Sequence, residues 1–186
     1  MSDKIRELSK IDYRAIHTLI QDADNLEDRL HVIVNAPFEY KVATAFLFLG
    51  IVVLLQVSDD GRYIDRVALS STELAKNTTD VSFVPFNQIR IPVDHPENII
   101  STAIRTGLPQ DTTDWKFLFE PAMTPDQARM NQASGGIAYS AVYPLPKSKK
   151  GGALIFSYFQ YQQNIGEEQK QFMSEYSRLV DDALNV

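Results

Sequence analysis

Amphipathic segments at both ends of the chain, with short β-branched segments between them, predict an α+β domain whose helices cover one face of a mainly antiparallel sheet. Three observations carry this. Ile5, Leu8, Ile11, Ala15 and Leu19 near the start, and Ile165, Phe172, Tyr176, Leu179 and Ala183 near the end, recur at helical spacing and collect on one helix face each. Two pairs of apolar segments, 51–57 with 63–69 and 137–145 with 153–161, are each joined by turn chemistry and read as hairpins. No fixed-period repeat and no linker divides the 186 residues, so one domain is expected over 1–186.

In chain order, the first helix is followed by a second that Asp24-Asn25 can cap, running through Leu26, Leu30 and Ile33 with Asp28 in its first turn. Pro37 fits an early helical position and Gly50 a left-handed exit, so 38–49 is expected to be a third, buried helix; a strand from Ala43 is the competing reading. The apolar run from Val42 to Val57 falls short of the ~18–20 residues needed to cross a bilayer, and Gly50 divides it. It is expected to be two buried elements, with no membrane span. Ile51–Val57 reads as a strand, Ser58-Asp59-Asp60-Gly61 as the turn, and Tyr63–Leu69 as a second strand with a polar face. A polar, loop-rich stretch is expected up to Phe86, then a short strand at 89–93. Asp94-His95-Pro96-Glu97 is expected to open a helix that Gly107 closes. Thr124-Pro125-Asp126-Gln127 has the form of a capping box and predicts a short helix to Ser134. The two final strands are joined through Lys147, Lys149 and Lys150, and a helix from Gly166 to about Leu184 ends the chain.

Composition excludes several function classes. A net charge of −6 and a pI near 5.0 oppose binding to phosphate backbones, so no nucleic-acid partner is expected. The lysines at 147–150 read as a solvated hairpin tip. The absence of cysteine removes disulfides, thiolate metal sites, thiol nucleophiles and thioether-linked cofactors. His17, His31 and His95 are too scattered for a metal motif, and neither a nucleophile elbow nor a phosphate-binding glycine loop occurs. No enzyme activity, cofactor or metal is therefore expected. The first residues do not show the pattern of a secretory signal, and a cytoplasmic location is expected.

The run from Asp94 to Pro109, ending Arg105-Thr106-Gly107-Leu108-Pro109 and followed by Asp114, resembles the helix, Thr-Gly-x-Pro turn and strand-end aspartate of GAF domains. Tyr139–Leu145, ending Pro144-Leu145, is similar to the family's Pro-Leu strand, Gly152-Ala153-Leu154-Ile155 to the Gly-x-Leu strand after it, and Gly166-Glu167-Glu168 to the start of its terminal helix. The match spans roughly Ile51 to the C-terminus. The resemblance implies a GAF-like, PAS-related sheet of about six strands with terminal helices on one face and a pocket on the other, roofed by the middle connections. On that frame, 1–50 supplies N-terminal helices, 51–165 the sheet core with its middle-loop pocket, and 166–186 the C-terminal helix. The resemblance further implies a non-catalytic sensory or regulatory domain that binds a small molecule or a signalling protein partner and dimerises through its terminal helices. The alternative is a degenerate assembly module with no small-molecule ligand. Bilin attachment and methionine-sulfoxide reduction both rely on cysteines that this chain lacks. Ile165 and Gln169-Lys170 depart from the Phe-x-x-x-Asp-Glu of cyclic-nucleotide-binding members.

The candidate ligand-binding residues are Asp114, Trp115, Phe117, Phe119, Arg129, Tyr139 and Tyr158. A lone tryptophan beside a carboxylate can stack on and hydrogen-bond a planar or cationic ligand; it can equally cap the core while the aspartate ends a strand. Phe117, Phe119, Met123 and Met130 offer an apolar lining or plain packing. Arg90 and Arg129 can neutralise an anion, although arginine is more commonly exposed. Strand alternation sends Tyr139 and Ser140 to opposite faces, so only some of Tyr139, Ser140, Tyr158 and Tyr161 can face one pocket. Ile5, Leu8, Phe172, Tyr176 and Leu179 are the candidate homodimer interface, with packing inside one monomer as the alternative.

Overall fold

The computed structural model describes residues 8–159 and 165–185. Its centre is a six-stranded, wholly antiparallel sheet in the order β3-β2-β1-β6-β5-β4, built from β1 (Leu49–Val57), β2 (Tyr63–Leu69), β3 (Arg90–Pro92), β4 (Gln110–Thr112), β5 (Tyr139–Pro144) and β6 (Gly152–Tyr158). One face is covered by α1 (Tyr13–Gln21), α2 (Leu26–Asn35) and the terminal α7 (Glu167–Leu184). The other is roofed by the connections between strands, which are themselves helical: α3 (Glu73–Asp80), α4 (Ile99–Thr106), α5 (Lys116–Phe119) and α6 (Pro125–Ser134). No helix among the described residues is long and apolar enough to cross a membrane.

Because successive strand residues point to opposite faces, β1 and β6 divide their side chains between two cores. Val52, Leu54, Leu154, Phe156 and Tyr158 join the terminal helices, whereas Ile51, Val53, Leu55, Ala153 and Ile155 join the roof. On the helix side Phe156 meets Phe172 and Tyr176 edge-on at 5.8 and 6.2 Å between ring centres, and the Tyr176 hydroxyl donates to the Ile33 carbonyl at 2.6 Å. α7 is thereby fixed to the sheet and to α2 at one residue.

Several expected elements take a different form. The first helix does not run unbroken to Leu19: the chain turns at Ser9–Lys10, and Asp12 restarts it by accepting from the Ala15 amide at 2.9 Å. The new phase buries Ile16 and Ile20 and leaves Leu19 56% exposed, although it stood on the expected stripe. The expected helix over 38–49 is a short 3₁₀ turn (Ala36–Glu39), a π turn (Val42–Phe46) and then the start of β1. Gly50 is a bulge rather than a helix exit. Leu49 pairs with Tyr158 and Ile51 with Ser157, so Gly50 is the extra residue, and a Cβ there would lie 2.9 Å from Leu74 Cδ1. The stretch expected to be loop contains α3, capped by Thr72. Asn98, not the Asp94–Glu97 segment, caps α4, its Oδ1 accepting from the Ile100 and Ser101 amides at 2.9 and 3.3 Å. The Asn25 cap, the left-handed Gly107 and the Thr124–Gln127 capping box are all present as expected. The last strand was expected to reach Tyr161; β6 ends at Tyr158, and Tyr161 lies outside the described residues.

Candidate functional site

Between the sheet and the roof lies a cavity of about 40 Å³, floored by Ile51, Val53, Ile155 and Ser157 and walled by Trp115, Leu118 and Phe119 of the α5 segment. α5 is a single turn, so residues three and four apart share its inner side. Trp115, Leu118 and Phe119 are buried, while Phe117 stands outside with the Lys116 ammonium 4.4 Å from its ring centre. Trp115 is fixed at both ends. Its backbone amide donates to Gln132 Oε1 at 2.9 Å, and its indole N–H donates to Ser140 Oγ at 2.8 Å. Ser140 and Ser157 are cross-strand partners on the cavity face, with hydroxyls 2.7 Å apart. Since the indole fills an acceptor site on Ser140, the two serines share one contact with two hydroxyl hydrogens, and one hydrogen remains to be placed.

The remaining polar groups on the cavity wall are Arg66 from β2 and Thr78, Thr79, Ser82 and Asn131 from the roof. Arg66 reaches this face by plain alternation from Ile64, which pairs with Val57 and joins the roof-side core. Leu55 pairs with Arg66 and Leu54 with Ala68, so Val67 is the extra residue, and Arg66 falls on the same side as Leu55. Its guanidinium carbon lies 4.3 Å from the centre of the Phe119 ring, which is tilted against Trp115 at 5.2 Å. Nε and Nη2 are closed to solvent and have no hydrogen-bond partner. Burial without an adjacent carboxylate pulls the guanidinium down from its ordinary value to about 9, which leaves it charged at neutral pH. Asn131 is the second incomplete group. Ser82 Oγ donates to the Val84 carbonyl at 2.7 Å and so accepts from Asn131 Nδ2 at 3.0 Å; this fixes the amide orientation and leaves Oδ1 buried and unpaired.

No sequence-family profile matches the chain, and no curated protein matches it in sequence. Solved structures match it across nearly its whole length. A structure described as that of the GAF domain aligns over 97% of this chain and 88% of its own at 14% identity and a TM-score of 0.63. The GAF domain of an Acinetobacter phosphoenolpyruvate-protein phosphotransferase aligns over 99% and 94% at 12% identity and 0.61. The chain has a GAF fold. A phycocyanobilin-bound GAF domain from a cyanobacterial phytochrome also aligns, over 96% and 93% at 14% identity and 0.59. Identities this low speak to architecture alone.

Within this GAF fold the candidate residues separate. Trp115 and Phe119 line the cavity; Phe117 does not. Asp114 and Arg129 pair with each other on the outside of α6, Arg129 Nη2 to Asp114 Oδ2 at 2.8 Å, which depresses the Asp114 carboxyl below its ordinary range and raises Arg129. Arg129 is thus already neutralised and stays off the cavity wall, and Arg90 is likewise paired with Asp65 at 2.6 Å on the sheet edge. Tyr139 and Tyr158 are cross-strand partners on the opposite face, beside the terminal helices. Their register neighbours Ser140 and Ser157 take the cavity side, so alternation removes both tyrosines from it. Burial raises the phenol of each, and the Tyr158 hydroxyl has no partner.

The residues expected at a subunit contact are occupied within the chain. Leu8, Phe172 and Tyr176 are buried in the helix-side core, Leu179 is half-buried against it, and Ile5 lies outside the described residues. The outward positions of α7 are polar: Glu167, Lys170, Gln171, Ser174, Arg178 and Asp182. The lysine hairpin is anchored, since Asp181 accepts from the Lys147 and Ser148 amides at 2.9 Å each and Lys147 Nζ meets Asp182 at 2.7 Å. Among the described residues no cluster of histidine and carboxylate side chains could hold a metal.

Arg66 was the residue that sequence reading passed over. A lone arginine on an alternating strand reads as part of the solvent face, and only its pairing with Leu55 on the face of Ile64, with no partner for Nε and Nη2, gives it another meaning. Asn131 gave no signal beyond its place on a short helix.

Proposed function

We propose that the chain is a non-catalytic sensory or regulatory module that binds a small molecule between the sheet and its roof. The observation that carries this reading is the pair of incomplete polar groups, Arg66 and Asn131, on the wall of the cavity. A buried donor or acceptor without a partner costs about 1–3 kcal/mol, a cost that a bound ligand removes. The central strands offer a route outward, because Ile155 and Ser157 border the cavity while Phe156 between them packs on Phe172 and Tyr176 of α7. A ligand that shifts β6 therefore biases the seating of the terminal helix, and a protein partner reads its polar outer face.

A second reading, an assembly module with no small-molecule ligand, draws support from the cavity's size. About 40 Å³ holds little beyond ordered water unless the roof moves. The two are separated by filling the space. Ile155→Phe should abolish stabilisation by a metabolite extract in a thermal-shift assay while leaving a folded protein. If the parent shows no stabilisation by any extract, the assembly reading replaces the sensory one.

A further inference from the structure

We infer that the cavity is built for a compact hydroxycarboxylate, held by the free fork of Arg66 and by Asn131. This deepens the ligand-binding reading above and rests on it. Nε and Nη2 are the two nitrogens on one edge of the guanidinium, the edge that meets both oxygens of a carboxylate in parallel hydrogen bonds. The guanidinium face is covered by the Phe119 ring, so a ligand meets the fork edge-on once the packing over Nε and Nη2 yields; a carboxylate does this with a single charge, whereas a phosphate dianion brings a second charge that the wall residues do not answer. Among the described residues no aspartate or glutamate lines the cavity to answer the charge of Arg66.

The unpaired Oδ1 of Asn131 adds a second requirement: it can only accept, so the ligand must also bring a donor. A hydroxyl meets that need. An ammonium would place a second positive charge in the same closed space as Arg66 and is disfavoured. A volume of about 40 Å³ is too small for such a molecule as it stands, so the roof must move to admit it, and the ligand is limited to a few carbon atoms, which rest against Ile51, Val53 and Ile155.

Trp115, the only tryptophan, lines the cavity, so its emission reports occupancy directly. The probes are lactate, propionate and lactamide, with inorganic phosphate as the tetrahedral anion, titrated at constant ionic strength against the wild type, Arg66→Met and Asn131→Leu. Lactate should bind more tightly than propionate, and lactamide should bind roughly 30-fold or more weakly than lactate. Arg66→Met should remove the advantage of lactate over lactamide, and Asn131→Leu that of lactate over propionate. Circular dichroism confirms that each variant is folded, and Arg66→Lys, which keeps the charge without the fork, should be intermediate. Equal binding of lactamide, or preference for phosphate, would overturn the inference while leaving a ligand-binding cavity. Equal binding of propionate would overturn the hydroxyl requirement. If no probe binds, native mass spectrometry after exposure to a metabolite extract decides between the two levels: an adduct without a carboxylate overturns this inference alone, and a bare mass overturns the ligand-binding reading with it.

Discussion

Replacing Arg66 by methionine should make the protein more stable, not less. The guanidinium is pulled down from its ordinary value to about 9 by burial alone, and at ~1.4 kcal/mol per pKa unit that sets an upper bound near 5 kcal/mol on what the charge costs the folded state. The residue as a whole is half-buried, so solvent screening brings the figure to about 2 kcal/mol. Loss of the Phe119 contact offsets ~0.5–1 kcal/mol of this. A methionine of similar length fills the space, so a net gain of about 1 kcal/mol is expected, or roughly 2–4 °C in Tm for a chain of this size. The pH dependence has a definite sign. Between the folded value near 9 and the higher ordinary value the unfolded state binds more protons at this residue, so its contribution to wild-type stability improves as pH rises there. The advantage of the variant should accordingly be level at neutral pH and shrink above about pH 9. Urea unfolding of both proteins across that range is the assay. A variant less stable than the wild type by 1 kcal/mol or more would show that Arg66 is satisfied within the chain, and the argument from an incomplete group would fail.

Tyr158→Phe removes a buried hydroxyl without a partner and should be neutral or stabilising by up to about 1 kcal/mol in the same assay, with no effect on ligand binding on the opposite face. Tyr176→Phe is its contrast: it leaves the Ile33 carbonyl without its 2.6 Å donor and should destabilise by about 1–2 kcal/mol. Gly152→Ala should destabilise strongly or prevent folding, because the added Cβ runs into the Leu55 carbonyl of the neighbouring strand; expression and circular dichroism show it. The Asp114–Arg129 pair should hold above the ordinary aspartate range and be lost as pH falls through the depressed Asp114 value, since protonation there removes what the folded state gains. Amide exchange in α6 should rise at that acid end in the wild type and already at neutral pH in Asp114→Asn.

What was legible in the sequence was local. Caps and turns act through one or two side chains, so Asn25, Gly107 and the Thr124–Gln127 box declared themselves by residue type and spacing. The strand pairs around the turns at 58–61 and 145–151 did so by alternation. The region 38–49 was opaque because an unbroken apolar run has no period by which a buried turn can be told from a buried helix. α3 was hidden by its polarity: Thr72 as cap and Glu73 in the first turn were available, but Lys76 through Asp80 reads as loop.

The site was less legible than the fold, since it depends on register. Trp115 and Phe119 were found by type. Tyr139, Tyr158 and Arg66 were each decided by which face a strand presents, and the register that sets Arg66 beside Leu55 and Tyr139 opposite Tyr158 is a property of pairing that composition does not reveal. The apolar stripe of α7 posed a related ambiguity. Phe172 and Tyr176 are as apolar as a dimer seam requires, but Phe156 and Ile33 already occupy them.

The central claim is that the cavity beneath the roof exists to be occupied. Native mass spectrometry of wild type and Arg66→Met, each incubated with a metabolite extract and compared with its denatured mass, tests it most directly. A small non-covalent adduct on the wild type that disappears on denaturation and is missing from the variant is the predicted result. Bare polypeptide masses for both proteins would contradict it and leave the assembly reading in its place.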